Sequence, residues 1–288
     1  MISRAMFLLI AMTLVATAQS AGPPPYQVEI EGDGRPVYLI PGLASPGSVW
    51  DDLAARLREL GYQTRVLTLA GFAGQPPTGS DTFLPEVRDA LALEIETLDS
   101  EKPVLIGHSL GGFMAFWLAA TVPDSVAGMV AVDGVPFISA LTNPNATPAA
   151  VDAQAQQIRQ YMSNLEQDQY AAQNRVTLGG MISARDDLER MAEVSGKSSP
   201  SAVGTAVAEM MTTDLRPLLG NVRVPVVLIQ AADSGASESR REAYAAQVES
   251  IADVRHVVAD KGLHFVPLDD PEFVAREVRA LLERIENE

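Results

Sequence analysis

The sequence predicts an α/β fold, a mostly parallel, doubly wound sheet that carries an inserted helical cap. Three observations lead to it. Short apolar runs at residues 37–40, 64–69, 103–106, 126–132, 224–230 and 254–258 alternate with helix-like stretches. Several runs are apolar at almost every position, as strands are when helices cover both faces of a parallel sheet. The alternation stops between residues 139 and 216, where no strand signal occurs, and then resumes.

Residues 1–18 hold one cation, Arg4, an apolar stretch over 5–15, and the small-x-small ending Ala16, Thr17, Ala18. This is the layout of a cleavable secretory signal, with cleavage expected after Ala18 and a periplasmic or secreted destination. No later apolar run reaches the roughly 18 residues of a membrane helix, so no stable membrane insertion is expected after signal cleavage. Residues 19–36, with Gly22 followed by Pro23, Pro24 and Pro25, read as an extended leader.

The strand at 37–40 ends at Pro41 and Gly42, and a helix over 48–60 follows, with Val49, Leu53, Leu57 and Leu60 on one face and Gly61 as its stop. Trp50 in that helix reads as a packing anchor. The β-branched strand 64–69 leads through a Gly and Pro loop at 71–79 to a second amphipathic helix, 81–98. Strand 103–106 runs directly into Gly107, and the helix after it, 111–120, is apolar nearly all round, which predicts burial between layers. The strand-free block contains polar helical stretches with Met162, Met181, Met191, Met210 and Met211, and Ser199 before Pro200 reads as a helix N-cap and first turn. Methionines there suit either ordinary core or a flexible lining over a pocket. The expected division is therefore a sheet core over 37–138 and 217–288, a cap over 139–216, and a last helix starting at Pro271.

Composition narrows the function. Of 288 residues 47% are apolar and 20% charged, enough for a full core. The formal net charge is −16, a surface that repels nucleic acid and anionic lipid. There is no cysteine, hence no disulfide and no thiolate ligand. The acidic runs lack calcium-loop spacing, and residues 107–112 lack the lysine of a phosphate loop, so neither metal nor cofactor is expected.

The segment Gly107, His108, Ser109, Leu110, Gly111 matches the Gly-x-Ser-x-Gly elbow, with a strand before it and an apolar helix after it. A serine on so tight a turn leaves no room for side chains two positions away, hence the glycines. The turn lifts the Ser109 hydroxyl above the sheet edge and aims the Leu110 N–H where an oxyanion would form.

On these residues the chain resembles the α/β-hydrolase superfamily, in its capped, esterase and lipase-like branch, over residues 36–285 apart from the cap. The resemblance implies Ser109 as nucleophile. It disfavours dehalogenases and epoxide hydrolases, which need Asp at that place. Leu39, Ile40, Pro41, Gly42, Leu43 stands where the superfamily has its oxyanion loop, with Pro41 in place of the usual His. The Leu43 N–H is the matching second donor, and Ala44 the alternative.

Three histidines are present. His108 lies inside the elbow and reads as a packing or hydrogen-bonding residue, lining the pocket at most. His256 alternates with apolar neighbours in a strand and reads as structural. His264, in a loop before Asp269, Asp270 and Pro271, resembles the superfamily's histidine loop and can reach Ser109 as general base. The acid stays open between Asp133, at the end of strand 126–132, and Asp233, after strand 224–230. Such a set is built for acyl transfer through an acyl-enzyme. The apolar residues Leu43, Leu110, Phe113 and Phe137, with Met162 and Met181 of the cap, point to a small-molecule ester of a small to medium apolar acid. Thioesters, lactones and amides, perhydrolysis, and a low-turnover binding module with the same fold are the alternatives. The oligomeric state is not legible.

Overall fold

The computed structural model describes residues 24–287, and the expected signal at 1–18 lies outside them. Strands β1 (Tyr26–Glu31) and β2 (Pro36–Ile40) come first, then a 3₁₀ turn (Gly47–Trp50), α1 (Asp51–Glu59), β3 (Gln63–Leu69), α2 (Phe83–Thr97), β4 (Val104–His108), α3 (Leu110–Thr121) and β5 (Gly128–Val132). A second 3₁₀ turn (Ile138–Leu141) leads into four consecutive helices, α4 (Pro148–Ser163), α5 (Gln167–Gly179), α6 (Arg185–Ser195) and α7 (Pro200–Thr212). A third 3₁₀ turn (Arg216–Asn221) returns the chain to β6 (Val226–Gln230), and the single turn α8 (Ala232–Gly235), α9 (Glu238–Gln247), β7 (Val254–Val258), the single turn α10 (Val266–Asp269) and α11 (Pro271–Asn287) complete it.

The strands form one sheet in the order β1-β3-β2-β4-β5-β6-β7, parallel throughout except for the antiparallel edge pair β1 and β3. Both faces are covered, as the fully apolar strands require. In β2, Val37 and Leu39 face the layer made by α1 and α11, while Tyr38 and Ile40 face the layer of α2, α3 and α9. Each fully buried aliphatic, such as Leu39, Ile106 or Ile229, contributes about 1.5–3 kcal/mol relative to exposure. In α3 every residue from Leu110 to Ala120 is buried, the consequence of its all-round apolarity.

One boundary of the sequence reading is corrected: the expected leader, 19–36, contains β1. Tyr26–Glu31 alternates Tyr, Val and Ile with Gln and two Glu, a strand periodicity hidden between Pro25 and the glycines at 32 and 34. It pairs on one side only, with β3, and so tolerates the charges and leaves Ile30 exposed.

The four helices between β5 and β6 form two pairs, α4 against α7 and α5 against α6. Thr147 and Ser199 cap α4 and α7, each side chain accepting the amide three residues on and each followed by proline. The α4/α7 pair is fastened to the sheet layer by Glu209 of α7, whose carboxylate accepts the amides of Phe83 and Leu84 at 2.9 and 2.7 Å. It thereby caps α2, which lacks a capping side chain of its own. The α5/α6 pair instead packs through Leu178, Met191 and Ala192 toward the layer of α1 and α11. Among the described residues no helix is long and apolar enough to cross a membrane.

Candidate active site

The parallel strands β2, β4, β5, β6 and β7 end on one edge of the sheet, and the loops leaving them surround a cavity of about 530 Å³ roofed by α4, α5 and α7. Open α/β sheets bind ligands at this edge, and the volume suits a small organic molecule.

Ser109 sits between β4 and α3 with φ 53° and ψ −115°, a left-handed, strained conformation. The turn is that tight because a Cβ on Gly107 would come within 2.0 Å of the Gly111 carbonyl oxygen, and one on Gly111 within 2.0 Å of that of Ile40. Its amide donates to the Val132 carbonyl at 2.8 Å, tying the elbow to the end of β5. The N–H of Leu110 heads α3, where the helix dipole favours negative charge.

The loop after β2 turns back between Gly42 and Ser45, whose amide donates to the Gly42 carbonyl at 3.1 Å. Ala44 takes φ 56° in this turn, a conformation that costs an alanine about 1 kcal/mol or more. Ser198, between α6 and α7, holds the turn: its hydroxyl donates to the Ala44 carbonyl at 3.2 Å and accepts the Ala73 amide at 2.8 Å. The Leu43 amide makes no hydrogen bond among the described residues, and Leu43 and Ala44 both line the cavity.

His264 lies in the loop between β7 and α10. Asp269 pins that loop to the cap by accepting the amides of Leu263 at 2.7 Å and Ser183 at 3.0 Å. The Phe265 amide adds a bond to the Met181 carbonyl at 3.0 Å. The His264 Nδ1–H donates to Asp133 Oδ2 at 2.6 Å. Asp133 has φ 45°, is 8% exposed, and accepts on its other oxygen from the Ala231 amide at 2.9 Å and the Tyr244 hydroxyl at 3.0 Å. Burial by itself would raise the Asp133 pKa, yet the bond to His264 and its charge, with the Ala231 and Tyr244 donors, hold the carboxyl below its usual range.

The structure thus separates the two acids. Asp233 also lines the cavity, but it sits exposed in α8, where its amide reaches the Gly262 carbonyl at 3.3 Å and its carboxylate makes no hydrogen bond to His264.

His108 is fully buried, its Nε2–H donates to the His264 carbonyl at 2.9 Å, and its Nδ1 has no partner. Burial, helped by the charge of His264, pushes its pKa down to about 3, so it is a neutral donor supporting the histidine loop. His256 bonds Gln230 Oε1 at 3.0 Å from within β7. Phe113, Met162 and Met181 line the cavity, together with Ile138, Leu141 and Met210.

Phe137 does not line it, contrary to the sequence reading. Its ring is fully buried in a small cluster with Ala140 and Ala146, under the Arg216 guanidinium at 4.9 Å. The backbone at 137 turns away because its amide is held by Gln247 Oε1 at 2.9 Å, and Ile138 and Leu141 reach the cavity instead. Tyr244 and Arg240, both of α9 and both on the cavity wall, escaped the sequence reading. The one available signal was a lone aromatic in an otherwise polar helical stretch.

A sheet with a strained serine at the end of its central strand and a histidine–aspartate pair across the same cavity defines a class, the α/β hydrolases. Residues 37–277 match the model of the alpha/beta hydrolase family, and the chain belongs to that family. It is 28% identical over 204 residues to a pimeloyl-acyl-carrier-protein methyl ester esterase of Aliivibrio salmonicida, covering 69% of this chain and 74% of the relative. It is 27% identical over 243 residues to an N-formylmaleamate deformylase of Pseudomonas putida, covering 83% and 85%. A thermophilic esterase from Thermogutta terrifontis superposes with a TM-score of 0.75 at 20% identity over 90% of this chain and 93% of that one, a likeness of fold.

Proposed function

We propose that this hydrolase cleaves carboxylic esters of small to medium apolar acids by a serine mechanism. The observation that carries the reading is the 2.6 Å bond between His264 and a buried Asp133, lining the same cavity as a strained Ser109, with Phe113, Ile138, Leu141, Met162 and Met210 on its wall. In this mechanism the Ser109 hydroxyl attacks the ester carbonyl while His264 Nε2 takes its proton. Asp133 holds the imidazole in the tautomer with Nδ1 protonated and stabilises the imidazolium. The amides of Leu43 and Leu110 receive the oxyanion. The imidazolium then protonates the leaving alcohol, and water, deprotonated by His264, hydrolyses the acyl-enzyme.

Residues 19–288 assayed on p-nitrophenyl esters of increasing acyl length test it. Hydrolysis with an optimum at short to medium chains is expected, and Ser109→Ala is expected to lower kcat roughly 10⁴-fold or more. A parent no faster than Ser109→Ala on every ester would sink the reading. The similarity to a deformylase favours a second one, cleavage of an amide by the same groups; a parent that ignores esters but hydrolyses N-formyl amides in a Ser109-dependent way would select it.

A further inference from the structure

Asp133 is held by three donors, and only one of them belongs to the triad just proposed. The Ala231 amide is backbone at the end of β6, so any residue there except proline would supply it. The third is the side chain of Tyr244, on α9, 111 positions along the chain. An ionised carboxylate cannot donate, so the phenol O–H gives its proton to Asp133 Oδ1 at 3.0 Å.

The tyrosine is itself braced. Its ring is 4% exposed and lies almost parallel to the His256 ring of β7, 9° apart with centroids at 6.2 Å. His256 is bonded to Gln230 Oε1 at 3.0 Å, and Gln230 Nε2 reaches Ser234 Oγ at 3.3 Å. One turn further along α9, Gln247 accepts the Phe137 amide at 2.9 Å. Helix α9 therefore grips the loop after β5 at two points, residues 133 and 137, through two side chains on one face, i and i+3. A phenol that only filled space would not need its hydroxyl aimed at the one carboxylate that His264 uses.

From this geometry we infer that Tyr244 is a positioning residue for the triad: its hydroxyl fixes the rotation of the Asp133 carboxylate so that Oδ2 points at His264 Nδ1, and it spreads the charge that His264 feels. The inference rests on the serine-hydrolase reading for its kinetic consequence, though not for the contact itself. Removal of the hydroxyl leaves Oδ1 with the Ala231 amide alone. The carboxylate then turns more freely and becomes a more basic partner, which strengthens its pull on the His264 proton. The charged and titratable groups around the pair are His264 and the neutral His108 on the Asp133 side, and His256 and Arg240 on the Tyr244 side, with the Ser234 hydroxyl near the phenol. His256 is held below its usual pKa by burial and by the charge of Arg241, so at neutral pH it adds no cation to the stack.

Tyr244→Phe is the test, because phenylalanine keeps the ring, the stack on His256 and the packing of α9. The first readout is the NMR titration of His264 in isotopically labelled protein, tractable with three histidines in the chain. The midpoint is expected to rise in the variant by roughly half a pH unit to one unit. The second is ester hydrolysis, where kcat is expected to fall roughly 10-fold at unchanged KM, the scale of one hydrogen bond to a charged group. A Tyr244→Phe protein with the parent's His264 midpoint and the parent's kcat would overturn the inference and leave Tyr244 as packing, with the hydrolase reading intact. If the parent hydrolyses no ester and the His264 midpoint still rises in the variant, the positioning contact stands and the proposed function falls.

Discussion

The loops after β5 and β6 each place an aspartate on the wall of the same cavity, and the two carboxylates live in different surroundings. Asp133 is buried, sits at a left-handed backbone position, and meets donors from β6, α9 and the histidine loop. Asp233 is exposed, lies in a single helical turn, and makes no side-chain hydrogen bond among the described residues. A buried carboxylate stays ionised only where donors converge on it, and the same convergence fixes its orientation. Position at a strand end is therefore not enough to hold an ionised carboxylate against His264; the neighbouring elements must supply the hydrogen bonds.

The largest effect that could break this comparison is the exchange of each acid for its amide. Asp133→Asn is expected to lower kcat by roughly 10³–10⁴-fold, since an amide can donate to Nδ1 and so favours the wrong tautomer. Asp233→Asn is expected to stay within about two-fold, the scale of an exposed charge. Ester kinetics on the two variants side by side decide it, and a collapse in Asp233→Asn with Asp133→Asn intact would invert the assignment.

This is also where the sequence stopped being informative. The apolar runs of β2, β4, β5 and β6 announced a parallel sheet because a strand buried on both faces has no polar side to disguise it. The elbow and the histidine loop were visible because their chemistry is local: glycines beside Ser109, a loop histidine before a helix start. The aspartate–histidine pair is a long-range property, since Asp133 and His264 meet across 131 positions and nothing near either residue in sequence records the meeting. Helix α9 was missed for a related reason. Its buried face comprises only Tyr244 and Gln247, too little for an apolar periodicity, and both side chains work through hydrogen bonds rather than through area. Strand β1 was missed because an edge strand can carry Glu29 and Glu31 toward solvent. Phe137 was misplaced because apolar character does not say which way a loop residue turns.

The buried side of the comparison should also register in stability against pH. His108, with its pKa down to about 3, stays unprotonated in the folded chain while the unfolded chain takes up a proton from about pH 6.5 downward. The unfolded state then binds more protons, so His108 costs stability as pH falls from about 6.5 to 3, at no more than about 1.4 kcal/mol per pH unit. Asp133 acts in the same direction but in a lower window: its depressed pKa supplies stability that is complete above about pH 4 and is lost as pH falls through the folded value. The two windows are separable. His108→Gln, whose amide can still donate to the His264 carbonyl, is expected to flatten the fall in urea midpoint between pH 6.5 and 4.5 and to leave the steeper loss below pH 4. A variant that tracks the parent through the upper window would show that His108 is not buried as a neutral ring.

On the exposed side the effects should be small and confined to binding. Asp233 and Arg240 both border the cavity, carry opposite charges, and form no ion pair with each other or with another described residue. Of the other polar side chains of that wall and roof, Gln173 is engaged with Tyr161, Asn174 with Ser195, and Ser234 with Gln230 and the Ala231 carbonyl, while the buried Tyr170 hydroxyl has no partner and carries no charge. Arg240 is thus the guanidinium available to a ligand, yet it is solvated, and an exposed charge pair is worth about 0.2–1 kcal/mol. On a pair of matched esters, one ending in a carboxylate and one neutral, Arg240→Ala is expected to raise KM for the anionic ester by roughly 1.5- to 5-fold and to leave the neutral ester and both kcat values unchanged. Added salt should erase the difference, because exposed charges are screened within about 10 Å at 0.1 M. A fall in kcat for both esters would mean that Arg240 acts through Tyr244 on the Asp133 carboxylate, and the boundary between a buried chemical side and an exposed binding side would have to move to include α9 as a whole.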